Sequence, residues 1–264
     1  MKAVILAAGR GSRLHPYTEN CPKCLTELGG QTLIGRQLAT LRAAGVTDIT
    51  IVTGYLREKL AALDGINEVH NPVWADTNMV ESLFCAESLF EGDLIVSYSD
   101  IVYEPKVIES ILASPHEVSV VVDRNWRAYW ERRFADPLAD AESLRLDERG
   151  RIVDIGNKVS DIDQIQAQYI GLMRFRGRGL ELLRQTRATL GDIKRPWMEK
   201  RPLTKAYMTD LLMEMILRGH DLFAVPINGG WLEIDTVQDY EDAAAMISDN
   251  SIRQFFDPAT SPGG

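Results

Sequence analysis

The apolar run Val4-Ile5-Leu6-Ala7-Ala8 opens into Gly9-Arg10-Gly11, and two further cations, Arg13 and Lys23, follow closely. A strand that runs into a glycine turn can bind an anion, because backbone N–H groups converge where no side chain blocks them. Cations beside such a turn suit a phosphate ligand. Two familiar devices of this kind do not fit. The chain has no G-x-x-x-x-G-K-[ST] run, so it is no P-loop protein. The dinucleotide fingerprint G-x-G-x-x-G begins well with Gly9 and Gly11, but its third glycine is Leu14. The second strand ends in Thr53-Gly54-Tyr55, with no acid to hold a ribose. A dehydrogenase reading is weakened on both counts.

The elements that must hold this turn alternate between strand and helix patterns. Strands are expected over residues 2–8, 48–53, 67–70, 93–97 and 117–123, and helices over 33–44, 56–63, 79–90 and 105–113. Gly45 is a natural stop for the first helix, Thr77 or Asn78 a cap for the third, and Pro105 suits a first helical turn. Such alternation implies a doubly wound, mostly parallel α/β sheet of Rossmann-like type. Ligands bind such sheets at the carboxyl ends of the strands, here the loops after Ala8, Thr53, Ser97 and Asp123. The second half is mixed. A hairpin is expected over 143–156, turning at 148–150, then a strand over 167–175 and helices over 179–190 and 204–217. A strand over 222–227, the segment 229–235 and a helix over 237–247 close the pattern. The hairpin and its helices form a small lobe suited to a second substrate. No Gly/Ser or Pro-rich linker divides the chain, so one domain is expected over 1–247, with 248–264 as a loose tail.

Composition narrows the classes. The chain has 264 residues, a formal net charge of −9 and 45% hydrophobic residues, enough for a packed core. The acidic balance argues against a nucleic-acid binder, which needs a basic face. The three cysteines, Cys21, Cys24 and Cys85, make an odd number with no disulfide framework. Cys21 and Cys24 form a C-x-x-C spacing, but zinc would need two more ligands, and an accidental spacing is favoured over a redox pair. No apolar run spans a membrane, and the N-terminal one is too short for a signal peptide. A cytoplasmic protein is expected, with its oligomeric state open and a homodimer among the options.

The first 25 residues resemble the nucleotidyltransferase signature L-A-A-G-x-G-x-R-x-x-P-x-T-x-x-x-P-K-x-L. Leu6, Ala7, Ala8, Gly9, Gly11, Arg13, Pro16, Thr18, Pro22, Lys23 and Leu25 all match. The resemblance implies a nucleoside triphosphate whose α-phosphorus is attacked by an oxyanion, so like-charge repulsion must be suppressed. Gly9 and Gly11 let the backbone approach the triphosphate. Arg13 offers a fork of donors, and Lys23 a point charge between the α-phosphate and the acceptor's phosphate. Such transfer implies a divalent cation, usually magnesium. Asp100 ends a strand, and Asp235 comes late in the chain, the two places where the family keeps aspartates. Glu233 is two residues before Asp235 and would point the same way on an extended segment, as a further ligand or a residue that orients water. The plain structural alternatives are a turn for Asp100 and a helix cap for Asp235.

Within that family, the segments 52–55, 70–83, 155–159, 169–175 and 231–236 look like the branch of phosphocholine and small-phosphonate cytidylyltransferases. The branch implies CTP as donor, with the backbone of Leu6, Ala7, Ala8 and Gly9 against the base. Asn78 and Ser82, four apart on one helix face, are candidates to read cytosine or ribose. Lys158 is a candidate for the acceptor phosphate. Trp126, Tyr129, Trp130, Tyr169, Trp197 and Asp210 are candidates for an ammonium-bearing acceptor. The aromatics could equally pack the lobe's own core. A sugar-1-phosphate enzyme using UTP, GTP or dTTP is the nearest alternative. It is weakened by Asn157-Lys158-Val159 and Ser99-Asp100 where sugar enzymes carry E-K-P and G-D. A non-catalytic nucleotide-binding regulator is the second, and would not need both aspartates.

Overall fold

A computed structural model describes residues 1–193 and 201–260. Its centre is a seven-stranded sheet. In chain order its strands are β1 (Lys2–Ala7), β4 (Asp48–Thr53), β5 (Asn67–His70), β6 (Asp93–Tyr98), β8 (Val118–Asp123), β11 (Gln168–Arg176) and β12 (Phe223–Ile227). The spatial order is β12-β8-β11-β6-β1-β4-β5, parallel throughout except for β11, which runs antiparallel to both neighbours. Two-stranded ribbons complete the strand set: β2 (Glu27–Leu28) with β3 (Gln31–Thr32), β7 (Ile101–Tyr103) with β13 (Trp231–Glu233), and β9 (Leu144–Leu146) with β10 (Ile152–Ile155).

β1 explains why the sheet is double-sided. Ala3, Ile5 and Ala7 enter one hydrophobic cluster, while Val4, Leu6 and Ala8 enter the other. Successive side chains point to opposite faces, so a strand covered on both sides reads as an unbroken apolar run. The first cluster packs α1 (Leu33–Ala43), α3 (Pro105–Ala113), α4 (Trp126–Arg133) and α7 (Val237–Ser248). The second packs α2 (Met79–Cys85), α5 (Arg178–Ala188) and α6 (Met208–Leu217). The doubly wound sheet and the hairpin lobe are as the sequence pattern implies.

The helical pattern over 56–63 collapses to a 3-10 turn at Arg57–Lys59, entered through Leu56 in the left-handed region. Its one deeply buried apolar residue is Leu60, too little to hold a longer helix. α2 ends at Cys85, and a separate turn covers Glu87–Leu89. α6 starts at Met208, not at 204, because the carbonyl of Thr204 is engaged across the fold by the Asn78 N–H. Asp210 then caps α6 by accepting from the Tyr207 N–H at 2.7 Å.

The expected loose tail is docked as far as Asp257. Ile252 and Phe256 are buried in the first cluster, the Phe255 carbonyl accepts from Gly230 N–H, and Glu104 accepts from Asp257 N–H. The polar "PATSPGG" composition conceals two apolar anchors just upstream. Phe256→Ala is therefore expected to lower stability by about 3–5 kcal/mol, the ordinary cost of truncating a core phenylalanine. Chemical denaturation would check this, and a loss under 1 kcal/mol would mean the segment is not part of the core.

Candidate active site

The site is assembled at the carboxyl end of the sheet from four short pieces of backbone. The first is the turn after β1. Gly11 sits at φ 65°, and a Cβ built there would lie 2.8 Å from Lys23 Cβ and 2.9 Å from Lys23 Cδ. The position thus needs glycine twice over, for its backbone conformation and to let the lysine stem pass. Thr18 donates its hydroxyl to the Gly11 carbonyl at 2.9 Å, and buried Leu14 anchors the far side of the loop. Gly9 faces open space.

The second piece, the turn Lys23–Leu25, points the Lys23 ammonium into the sheet edge. Lys23 is 8% exposed, and its Nζ lies 2.8 Å from Asp100 Oδ2 and 2.5 Å from Asp235 Oδ1. Burial disfavours the ammonium, but the two carboxylates more than offset it and hold its pKa above the ordinary lysine value. Arg13, which is exposed, reaches the other oxygen of Asp235 at 2.7 Å.

The third and fourth pieces bring the aspartates together. Asp100 lies between β6 and β7. β13 pairs antiparallel with β7, Glu233 against Ile101, and the Ile234 N–H donates to the Asp100 carbonyl at 2.9 Å. This register sets Asp235 beside Asp100. The helix cap is Thr236, not Asp235: its hydroxyl accepts from Asp239 N–H, and Asp239 accepts in return from the N–H groups of Thr236 and Asp235. Both Asp235 oxygens remain available to the site.

Glu233 does not join the two aspartates. β13 ends at Glu233, so the alternation that would align it with Asp235 is lost. Its carboxylate pairs with Arg133 at 2.7 Å, and the Tyr129 hydroxyl bonds both its N–H and its carbonyl. Among the described residues, no group of three or more His, Cys, Asp or Glu is placed to hold a metal ion. The aspartate pair itself fits a hard cation: Asp100 Oδ1 is buried with no hydrogen-bond partner. Oxygen donors on one or two carboxylates, with the rest supplied by phosphate and water, are what magnesium uses.

A cleft of about 250 Å³ opens over this floor, lined by Leu6, Ala8, Gly9, Gly11, Arg13 and Lys23 on one side and Asn78 and Ser82 on the other. Ala7 is not in its lining, since its side chain faces the opposite layer. Asn78 caps α2 through the Met79 N–H, and Ser82 accepts from Asn71 Nδ2 at 3.1 Å. Trp74, Tyr98 and Asn71 escaped the sequence reading. Trp74 and Tyr98 line the cleft and Asn71 orients Ser82; Asn71 and Trp74 lie in the 70–83 segment that carries the branch resemblance, though neither was singled out there, and a strand tyrosine carries no signal of such a role.

The aromatic acceptor candidates divide. Trp126 and Tyr129 are buried in the first cluster, Tyr129 packing on Trp231 and Phe255. They build the core on that face of the sheet, not the hairpin lobe, and neither lines the cleft over the aspartate pair. Trp130 is 3% exposed, yet it borders the continuation of the cleft together with Tyr169. Its indole N–H donates to Asp140 at 3.1 Å. Lys158 stands farther along, beside Asp140, Glu142 and Arg201. Asp210 is buried, capping α6 and bonding Arg201 at 2.9 and 3.1 Å, so it supports the wall instead of forming it. Trp197 lies outside the described residues. The sequence reading missed Asp140 and Glu142, which sit in a stretch that reads as a solvated loop. A larger cavity of about 690 Å³ lies elsewhere, between the start of α4 and the docked C-terminal segment. It holds neither the glycine turn nor the aspartate pair.

A glycine turn after the first strand, a buried lysine and two facing aspartates at the sheet's carboxyl edge define a nucleotidyltransferase. Residues 3–155 match the MobA-like NTP transferase domain, and the chain belongs to that family. It is 36% identical over 252 residues to CTP:phosphoglutamine cytidylyltransferase of Campylobacter jejuni, covering 91% of this chain and 98% of that one. It is 36% identical over 107 residues to choline-phosphate cytidylyltransferase of Streptococcus pneumoniae, covering 39% of this chain and 47% of that one. The solved CTP:phosphocholine cytidylyltransferase of Streptococcus pneumoniae shares the fold, with a TM-score of 0.71 at 23% identity over 93% of this chain and 98% of that one. These relatives fit the cytidylyltransferase branch of the family. Among the described residues no helix is long and apolar enough to cross a membrane.

Burial, then Asp140 and Asp210, pushes the Glu142 carboxyl up to about 7, against a lowering by Arg201 and Thr209. An unfolded chain releases this proton near pH 4.3. Between those values the folded state binds the extra proton, so this group's contribution is full at low pH and lost as pH rises through about 7. The melting temperature of the parent protein, measured against Glu142→Gln, is expected to fall from pH 5 to pH 8. A flat difference would contradict the shift.

Proposed function

We propose that this protein is a cytidylyltransferase that moves CMP from CTP to a small phosphate- or phosphonate-bearing acceptor and releases pyrophosphate. The observation that carries this reading is the Lys23 ammonium held between Asp100 and Asp235 beneath the glycine turn. The nucleotide follows from the relatives named for CTP, one of them aligned over nearly its whole length. They differ in the acceptor's head group, which leaves that question to the cleft itself.

CTP would lie with its base between the backbone after Leu6 and the Asn78–Ser82 face of α2, and its phosphates over Gly9 and Gly11. Asp100 and Asp235 would hold magnesium, which when bound supplies charge neutralisation at the phosphates. Lys23 and Arg13, released from the aspartates, would turn to phosphate oxygens. An ionised oxygen of the acceptor attacks the α-phosphorus in line. A new P–O bond forms, the bond from the α-phosphorus to the bridging oxygen breaks, and pyrophosphate leaves with the electron pair. No proton needs to be removed, so no general base is assigned. Catalysis is positioning plus stabilisation of charge.

With 2-aminoethylphosphonate or a related acceptor, pyrophosphate release is expected with CTP and at most slightly with UTP, GTP, ATP or dTTP. EDTA should abolish it and added magnesium restore it. A preference for UTP, GTP or dTTP with sugar 1-phosphates would keep the site and overturn the nucleotide. Lys23→Met should lower kcat by roughly 10² or more, the scale for losing one preorganised donor at developing charge. A folded variant with parental kcat would remove Lys23 from the mechanism.

A further inference from the structure

β13 ends at Glu233 and α7 begins at Val237, so Asp235 lies between them, held by neither a strand ladder nor a helix. Two main-chain contacts fix it instead. The Ile234 N–H donates to the Asp100 carbonyl, and the Asp235 N–H donates to Asp239 Oδ2 at 3.1 Å. That same oxygen accepts from the Thr236 N–H at 2.9 Å. An acid at the third helical position commonly closes a cap in this way. Asp239 is only 5% exposed, so its charge needs a partner within the fold.

Arg133, the last residue of α4, is that partner. Its Nε and Nη2 donate to the two oxygens of Asp239 at 2.8 and 3.1 Å, a two-pronged contact. Its Nη1 stands 2.7 Å from Glu233 Oε2 but outside hydrogen-bond alignment. The fork is therefore committed to Asp239, and Glu233 receives the charge alone. The guanidinium packs near the rings of Tyr129, Trp130 and Phe134, at 5.3, 5.3 and 5.0 Å from their centroids. One helical turn earlier on the same face, the Tyr129 hydroxyl accepts from the Glu233 N–H at 3.0 Å and donates to its carbonyl at 3.1 Å. Trp130, next in sequence, borders the groove that continues the cleft. One helix thus grips residues 233–239 from the acceptor side of the site. A buried arginine among carboxylates adds little stability, because desolvation offsets the attraction. What it supplies here is a fixed position.

Resting on the reading above that Asp100 and Asp235 hold a divalent cation, we propose that Arg133 is a positioning residue of that site: its fork fixes Asp239, and Asp239 fixes the main chain that carries the Asp235 carboxylate. Arg133 itself touches neither aspartate of the pair. A cation shared by two carboxylates is sensitive to their spacing, and groups that orient metal ligands typically control affinity by roughly 10–100-fold. Arg133 also keeps Glu233 as its own counter-ion, which is why a third acid two residues from Asp235 does not join the pair.

The test is calorimetry on the full chain with a non-hydrolysable CTP analogue, once with magnesium and once with EDTA. In the parent protein magnesium should tighten binding, and Asp100→Asn should remove that gain. Arg133→Lys keeps the charge but not the fork. It should cut the magnesium gain roughly tenfold while leaving binding in EDTA within about twofold of the parent, and raising magnesium should restore binding. Asp239→Asn keeps an oxygen for the two N–H groups and gives up one of the two acceptors that the fork uses. It should lower the gain to a smaller degree, and serves if the arginine variant is unstable. A merely structural role gives a different pattern: a lower melting temperature with the magnesium gain unchanged in the folded protein, or equal losses in magnesium and in EDTA. Either result overturns the proposal and leaves the aspartate pair as the cation site. A parent protein whose analogue binding does not depend on magnesium overturns the cation site itself, and the role of Arg133 with it.

Discussion

One buried ammonium between two carboxylates is the constraint on which the site depends. Asp100 and Asp235 come from strands far apart in the chain and would repel each other without a countercharge. Lys23 supplies it, and removing one member of a buried ion cluster costs far more than the cluster contributes as a whole. The rest of the local structure serves this contact. Gly11 clears the path of the lysine stem, the β7–β13 ribbon sets the register of the two aspartates, and the capping pair Thr236–Asp239 leaves both oxygens of Asp235 to the site. Lys23 and Arg13 between them engage both oxygens of Asp235 and one of Asp100, which leaves Asp100 Oδ1 as the unpartnered buried oxygen of the cluster.

The same residues explain how much was legible in the sequence. The glycine turn, Arg13, Lys23, Asp100 and Asp235 are a spaced pattern whose geometry follows from a strand ending at a sheet edge, and the structure brings them together. Glu233 was misplaced because the period-two rule holds only while the strand lasts, and β13 stops there. The loose tail was misjudged because composition averages over Ile252 and Phe256, two residues that decide the packing. The 56–63 helix failed for the opposite reason: a helical pattern without enough apolar surface to bury.

The acceptor end was the least legible. Clustered tryptophans and tyrosines after a strand suit either a ligand cage or a core, and only the packing of Tyr129 on Trp231 and Phe255 decides for the core. The acids that do face the groove, Asp140 and Glu142, sit in a polar connecting segment where charged residues are unremarkable. Their meaning comes from contacts with Trp130 and Gln168, residues 10 and 26 positions away. Spacing rules cannot reach such pairs. An acidic protein can still place two cations at its reaction centre, because the net charge says nothing of where Lys23 and Arg13 are held; here they are balanced by Asp100 and Asp235.

The most direct test of this account is a crystal structure with magnesium and a non-hydrolysable CTP analogue. The account predicts a cation on Asp100 and Asp235, with the Lys23 ammonium moved from the aspartates to a phosphate oxygen above Gly11. A triphosphate bound elsewhere, with Lys23 still locked between the two carboxylates, would contradict it.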